Sequence, residues 1–460
     1  MISPFLGASI VVWTSLIGVI MASLAAGYYA GGRIADARPN PRLLSALIAG
    51  AALWVVLLTF VQRSILMALL SGGVNNIYVL SITAALLFFG VPSFLLATVS
   101  PFVIRLFASD KEKIGGIAGK VSASATIGSI VGTFLGGFIL VSFFSVTLIL
   151  LMTALVIGIA SIIMFSLKLK NALALGLAAF GAFAGLYHAQ KALITNVSIE
   201  TMYNSLFVSE QIEEGRRVRS LYTDSNKLQG RIYVDNPDEM AAEYLRFIGD
   251  AFVSADVESI LMLGGGVYVF PRWLASSHPA TSIDVVEIDP GITQAARDFF
   301  YLADRPGQRV FHEDARYFVN RLSLETASAG AYDLIFQDTY GSSFNVPFQL
   351  STLEFFKRVN TLLSDEGVFV FNFMGSLDSA MFSGLHAAIS ESFPHVRVFP
   401  VNEPYNTKAL QNIILAAYKS GSHRADSFTI PEYRGALYPE TAAFSDAFAP
   451  VERYTMLMLR

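Results

Sequence analysis

From Val121 to Leu167 the chain carries not one charged side chain. A spanning helix takes about 20 mostly apolar residues, so this run is long enough for two of them with a short turn between. The rest of the first 190 residues repeats the pattern. Six candidate spans are expected, at Phe5–Tyr29, Leu43–Val61, Ile77–Val99, Val121–Val141, Ser145–Leu167 and Asn171–Tyr187, the last being the shortest. Overall 53% of the residues are hydrophobic and 15% charged, against about 25% charged in an average soluble protein. The apolar excess is confined to the first half, and from residue 200 onward the charge density is that of a globular domain. The expected organisation is therefore a helical membrane domain over 1–190 followed by a soluble half, which divides into a small subdomain over 191–238 and a larger domain over 239–460.

Glycines 128, 132, 136 and 137 put small residues one turn apart in the fourth span, a spacing that lets helix backbones approach closely in lipid. Intramembrane ionisable residues, the usual mark of a transport path, are nearly lacking. Arg33, Asp36 and His188 sit at span ends. The membrane half reads as an anchor rather than a transporter. The loops after spans one, three and five carry Arg33, Arg38, Arg42, Arg105, Lys111, Lys113, Lys120, Lys168 and Lys170, whereas those after spans two and four carry only Arg63. Basic short loops stay in the cytoplasm. Six crossings of a plasma (inner) membrane would then leave the soluble half on the extracytoplasmic side.

The net charge of −4 gives no sign of nucleic-acid binding, and the absence of Cys excludes disulfides, thiolate metal sites and Cys catalysis. No metal is expected. The expected partners are a small-molecule substrate, the bilayer and a second copy of the chain as a homodimer.

Beyond residue 200 the pattern changes twice. Ser205–Ser209, Val218–Tyr222 and Arg231–Val234 alternate polar and apolar residues around turns at Glu214-Gly215 and Asp224-Ser225-Asn226, which predicts antiparallel strands. A helix is expected over 239–253. Strands at Ser259–Leu263, Ser282–Ile288, Arg309–His312, Asp333–Gln337 and Gly367–Phe373 then alternate with helices at 269–276 and 291–299. That order predicts a Rossmann-like, mainly parallel sheet with helices on both faces. Such sheets bind ligands at the C-terminal strand ends. Three markers fall there: Gly264-Gly265-Gly266 after the first strand, Glu287 at the end of the second, and Asp314 past the third. Glycines admit close backbone approach, and a carboxylate about twenty residues after them suits ribose hydroxyls. Asp314 suits the exocyclic amine of a base. The dinucleotide fingerprint is broken by Val267-Tyr268-Val269, and there is no phosphate loop.

In combination, Leu261–Gly266, Val286–Pro290, Glu313–Arg316 and Gln337–Tyr340 resemble the successive motifs of spermidine synthases. The region with Asp224 and Gln229 resembles that family's small N-terminal β-domain. The segments Ala26–Asp36 and Gly128–Gly137 are similar to the transmembrane spermidine-synthase-like branch. The resemblance implies transfer of an aminopropyl group from decarboxylated S-adenosylmethionine, or chemistry on S-adenosylmethionine itself, with methylthioadenosine released. Gly264, Gly265 and Gly266 would line the sulfonium side, Glu287 would hold the ribose, and Asp314 with Ala315 the adenine. Asp338 would orient and deprotonate the attacking amine. Tyr340 would pack on the ligand or close the loop, and Gln229 and Tyr244 match substrate-side positions. Two departures stand out: the family's Asp after the glycines is Val267 here, and its second Asp after the catalytic one is Gly341. A dicationic diamine needs carboxylates, because a buried unpaired charge is costly. Cleavage of the donor without an amine acceptor, methyl transfer, and a transporter or sensor that only binds a nucleoside therefore stay open beside aminopropyl transfer.

Overall fold

The computed structural model describes residues 10–71, 77–107, 114–140, 144, 146–166, 197–201, 203–223, 227–325, 328–340, 346–420, 428–436 and 441–458. The sixth apolar segment, Asp224 and Gly341 lie outside them. The chain divides into two compact units, Met1–Thr195 and Asn196–Arg460.

In the first unit the helices are α1 (Ile10–Ala37), α2 (Pro41–Ser71), α3 (Ile77–Ala85), α4 (Val91–Ala97), α5 (Val99–Phe107), α6 (Ile114–Phe134) and α7 (Val146–Ser166). The turn of π-helix at Leu86–Gly90 joins α3 to α4, and another at Leu135–Leu140 extends α6. Among the described residues, five helical stretches are long and apolar enough to cross a membrane. They fall on the first five expected segments.

The close backbone approach occurs on α1, not at the expected glycines of α6. A Cβ on Gly27 would lie 2.3 Å from the Phe94 carbonyl oxygen, and one on Gly31 2.7 Å from the Thr98 Cα. At Gly128, Gly132, Gly136 and Gly137 no described atom comes within 4 Å of such a Cβ. Small-residue spacing marks where helices are able to touch; the partner helix decides whether they do. One polar pair between helices is reciprocal. Ser45 Oγ donates to the Ser161 carbonyl (2.9 Å) and Ser161 Oγ to the Ser45 carbonyl (2.8 Å). In the π turn before α4, the Leu87 carbonyl accepts from Trp54 Nε1 at 3.0 Å.

The second unit begins with a four-stranded antiparallel meander: β1 (Val197–Glu200), β2 (Ser205–Glu213), β3 (Arg216–Thr223) and β4 (Lys227–Tyr233). Glu214 and Gly215 both take positive φ (51° and 81°), the two-residue turn whose twist suits a hairpin. Next comes α8 (Glu243–Phe252). It starts four residues later than expected because Met240 is held in a bridge to Ile232 and Ala242 is extended.

The remaining elements are β5 (Ser259–Leu263), α9 (Val269–Ser277), β6 (Ser282–Val286), α10 (Pro290–Phe299), β7 (Gln308–Phe311), α11 (Ala315–Leu322), β8 (Tyr332–Gln337), α12 (Leu353–Leu362), β9 (Leu363–Gly375), α13 (Ala380–Ser390), β10 (His395–Pro400), β11 (Gln411–Tyr418) and α14 (Val451–Met458). The sheet order is β10-β11-β9-β8-β5-β6-β7, parallel from β9 to β7, with β11 and β10 added antiparallel. Both faces are covered, so its central strands are nearly continuous apolar runs. Ile260, Met262, Leu334 and Phe336 point into one core layer, and Leu261, Leu263, Ile335, Phe369, Phe371 and Phe373 into the other. After β7 the chain returns to the other side of β5 to form β8. The C-terminal ends of β5 and β8 therefore flank the crevice where strand order reverses, the place such sheets offer a ligand.

Candidate active site

The glycine turn after β5 is dictated by crowding. Gly264 has φ +91°, and a Cβ there would lie 2.3 Å from the Asp338 carbonyl oxygen. At Gly265 a Cβ would meet the Tyr268 ring at 2.7 Å. Gly266 has φ +51° and faces the Gln229 carbonyl on β4. Tyr268 is itself left-handed (φ 57°) and fully buried, and its hydroxyl shares a 2.7 Å hydrogen bond with Thr293 Oγ1. Thus the glycine turn, β4 and the end of β8 meet at one point.

Glu287 lies one residue past β6 and is buried. Its Oε2 accepts from the Gly265 amide (2.8 Å) and its Oε1 from the Asp289 amide (2.9 Å). Burial pushes its pKa up, while these backbone donors, with that of Gly266, pull it down; burial prevails. The consequence for stability has a definite sign. A folded-state pKa above the unfolded one means the folded chain holds the proton more tightly. Glu287 therefore contributes less stability as pH rises from the ordinary carboxylate range through its raised folded value. In urea titrations of ligand-free protein across that window, wild type should lose stability relative to Glu287→Gln as pH rises. A difference that stays flat or grows would show that burial does not dominate at this carboxyl.

Asp289 caps α10, accepting from the Gly291 amide, with Pro290 at the first helical position where its missing N–H costs nothing. Its second oxygen accepts from Thr201 Oγ1 (2.6 Å) and Asn204 Nδ2 (2.9 Å), tying the β1–β2 turn to the edge of the site. Asp314 caps α11 through the Tyr317 amide at 3.0 Å, and Ala315 behind it is buried. Tyr203, on the β1–β2 turn, has its pKa raised by burial and then by the charges of Asp289 and Asp314.

At the end of β8, the Asp338 amide donates to the Leu263 carbonyl at 2.9 Å, so the residue is locked to β5. Its carboxylate is held from two sides. Oδ2 accepts from the Tyr244 hydroxyl on α8 (2.8 Å), and Oδ1 from Asn372 Nδ2 on β9 (2.9 Å). Burial first, then the charge of Asp338, raises the pKa of Tyr244 well above that of a free phenol, so it stays a donor. Tyr340 is raised likewise. Its hydroxyl donates to the Asn372 carbonyl (2.6 Å) and accepts from the Met374 amide (2.7 Å). Both bonds tie the residues after β8 to β9.

The structure thus gathers Gly264, Gly265, Gly266, Glu287 and Asp338 around the β5–β8 crevice, with Gln229 at its edge through its main chain. The Gln229 side chain itself donates to Thr223 Oγ1 within the β-subdomain. Val267 is buried, its Cγ2 2.6 Å from where a Cβ on Gly230 would sit. The departure at 267 is therefore absorbed by apolar packing on β4. Sequence reasoning missed Asn372 and Asn412. The available signal was one polar residue inside Phe369-Val370-Phe371-Asn372-Phe373.

No family model matches the chain. The solved structure of a probable spermidine synthase from Corynebacterium glutamicum aligns over 56% of this chain and 98% of its own, with 20% identity and a TM-score of 0.46. The N-terminal histidine N-methyltransferase of Emericella nidulans is 32% identical over 139 residues, covering 30% of this chain and 24% of that protein. The polyamine aminopropyltransferase of Vibrio vulnificus is 30% identical over 187 residues, covering 40% of this chain and 58% of that protein. Its namesake from Chromobacterium violaceum is 28% identical over 163 residues, covering 35% of this chain and 60% of that protein. The chain spans less than two thirds of the length of these relatives. The aminopropyltransferase matches agree with the motifs gathered at the β5–β8 crevice, and the chain is similar over that part to the spermidine synthase (aminopropyltransferase) family.

Proposed function

We propose that the protein is a membrane-anchored aminopropyltransferase-like enzyme that acts on decarboxylated S-adenosylmethionine or S-adenosylmethionine and releases methylthioadenosine. The observation that carries the reading is the adjacency of Asp338 to the glycine turn: a carboxylate held by Tyr244 and Asn372 belongs to a residue whose main chain packs so closely on Gly264 that no Cβ fits between them. Gly264, Gly265 and Gly266 present main-chain atoms to the sulfonium side. Glu287 accepts from the ribose hydroxyls with the lone pairs its backbone donors leave free. Asp314 keeps an oxygen for the adenine amine, with Ala315 beneath the base. Asp338 orients the nucleophile and takes its proton. A nitrogen–carbon bond forms at the carbon beside the sulfonium as the carbon–sulfur bond breaks, with its electron pair left on sulfur. The sulfonium is already a good leaving group, so the protein's share is alignment and proton removal.

The helical unit anchors this domain in the plasma (inner) membrane. Support comes from five apolar helices of spanning length. The bias of basic residues to alternate loops argues for an extracytoplasmic soluble unit if the sixth segment crosses.

Methyl transfer is the second reading. The likeness to a histidine N-methyltransferase favours it, as does Val267 packed where the family carries Asp. Purified protein incubated with each donor, with and without diamines, and analysed by chromatography separates the readings. Methylthioadenosine formed only with an amine present supports aminopropyl transfer. Methylthioadenosine without an amine marks donor cleavage, and S-adenosylhomocysteine marks methyl transfer.

A further inference from the structure

We propose that Asn372 is the positioning residue for Asp338, fixing the direction in which its carboxylate meets the reacting group. This rests on the reading of Asp338 as the base. Asn372 is 2% exposed in a strand whose neighbours Phe371 and Phe373 are fully buried. A buried amide costs stability unless it is hydrogen-bonded. Here one N–H and the amide oxygen are both used. A carboxylate only accepts hydrogen bonds, so the amide nitrogen must face Asp338 Oδ1, at 2.9 Å. The opposite end is set by Asn412 on β11, whose Nδ2 donates to Asn372 Oδ1 at 2.9 Å. The main-chain carbonyl of Asn372 takes the Tyr340 hydroxyl. One residue of β9 therefore ties together the β8 carboxylate, the β8 loop and β11, across three adjacent strands.

The carboxylate has little freedom left. Its backbone is locked to β5, one oxygen is held by Tyr244 from α8 and the other by Asn372. Removing Asn372 frees the carboxylate to turn about its Cβ–Cγ bond and removes a donor to its charged form, which raises its pKa.

The test is steady-state kinetics of the full-length protein in detergent with Asn372→Leu, Asn412→Leu and Asp338→Asn, with methylthioadenosine binding measured calorimetrically. Asn372→Leu should lower kcat by about 10- to 100-fold, the scale of a misplaced catalytic group. Its nucleoside affinity should stay near wild type, and the acid limb of its kcat–pH profile should move to higher pH. Asn412→Leu, which unpins the amide one strand further out, should shift both in the same direction by less. A purely structural role would lower the yield of folded protein without moving the acid limb. Wild-type kcat and an unmoved limb in Asn372→Leu, beside an inactive Asp338→Asn, would overturn this inference and leave the base assignment standing. If Asn372→Leu does not fold, an unmoved limb in Asn412→Leu overturns it equally. An active Asp338→Asn would instead remove the base, and the inference with it.

Discussion

Asp338→Asn should bind methylthioadenosine as wild type does and lose about 10²- to 10⁴-fold in kcat, the usual contribution of a positioned base. The substitution keeps the volume and one oxygen of the side chain. It also keeps the Asp338 amide on the Leu263 carbonyl, so the β5–β8 crevice should hold its shape. What is lost is an acceptor: an amide nitrogen now faces either Tyr244 or Asn372, each of which was a donor. The negative charge that, on the proposed reading, holds an ammonium group and takes its proton is lost as well. Calorimetry with methylthioadenosine and single-turnover product analysis measure the two parts separately. Normal turnover would end the assignment of Asp338. Loss of nucleoside affinity equal to the loss of rate would make Asp338 a binding group instead.

Gly264→Ala should disrupt the site through the backbone. At φ +91° an L-residue is strained, at about 1–3 kcal/mol. The new Cβ would also lie 2.3 Å from a carbonyl oxygen that has little room to move, because Asp338 is itself bonded back to β5. Strain and displacement together should cost about 2–4 kcal/mol and abolish nucleoside binding. Gly266→Ala is the internal control. Its φ of +51° lies in the left-handed region, and the nearest atom, the Gln229 carbonyl oxygen, is at 3.1 Å, so its loss should be smaller. Thermal unfolding in detergent followed by Trp273 fluorescence, in a background with Trp13 and Trp54 replaced by Phe, reports on the second unit, where Trp273 packs on Phe270. If Gly264→Ala melts with wild type and still binds methylthioadenosine, the described approach of β8 to the glycine turn is wrong.

Much of this chain was legible residue by residue. Charge-free runs of spanning length fell on the helices of the first unit because apolar periodicity and length act locally. The order strand, glycines, strand, acid gave the parallel sheet because β5, β6, β7 and β8 carry their burial pattern in their own residues. Asp289 and Asp314 cap helices through amides only two or three residues on, but the sequence reading has Asp314 only as a carboxylate for the base, with no helix expected after it.

The partners across the fold were not legible. The glycines of α6 have the spacing for close packing, yet Gly27 and Gly31 of α1 make it, because contact requires a second helix that no single segment specifies. Asn372 reads as an interruption in a phenylalanine-rich strand until β8 and β11 flank β9 and give its amide Asp338 on one side and Asn412 on the other. The partners of the Tyr340 hydroxyl are not visible in the sequence until β9 supplies a carbonyl and an amide. The sequence by itself determined which elements form and where the glycines and acids fall along them. Only the tertiary structure decided which donor meets which acceptor, because hydrogen bonds between strands distant in sequence depend on sheet order and register.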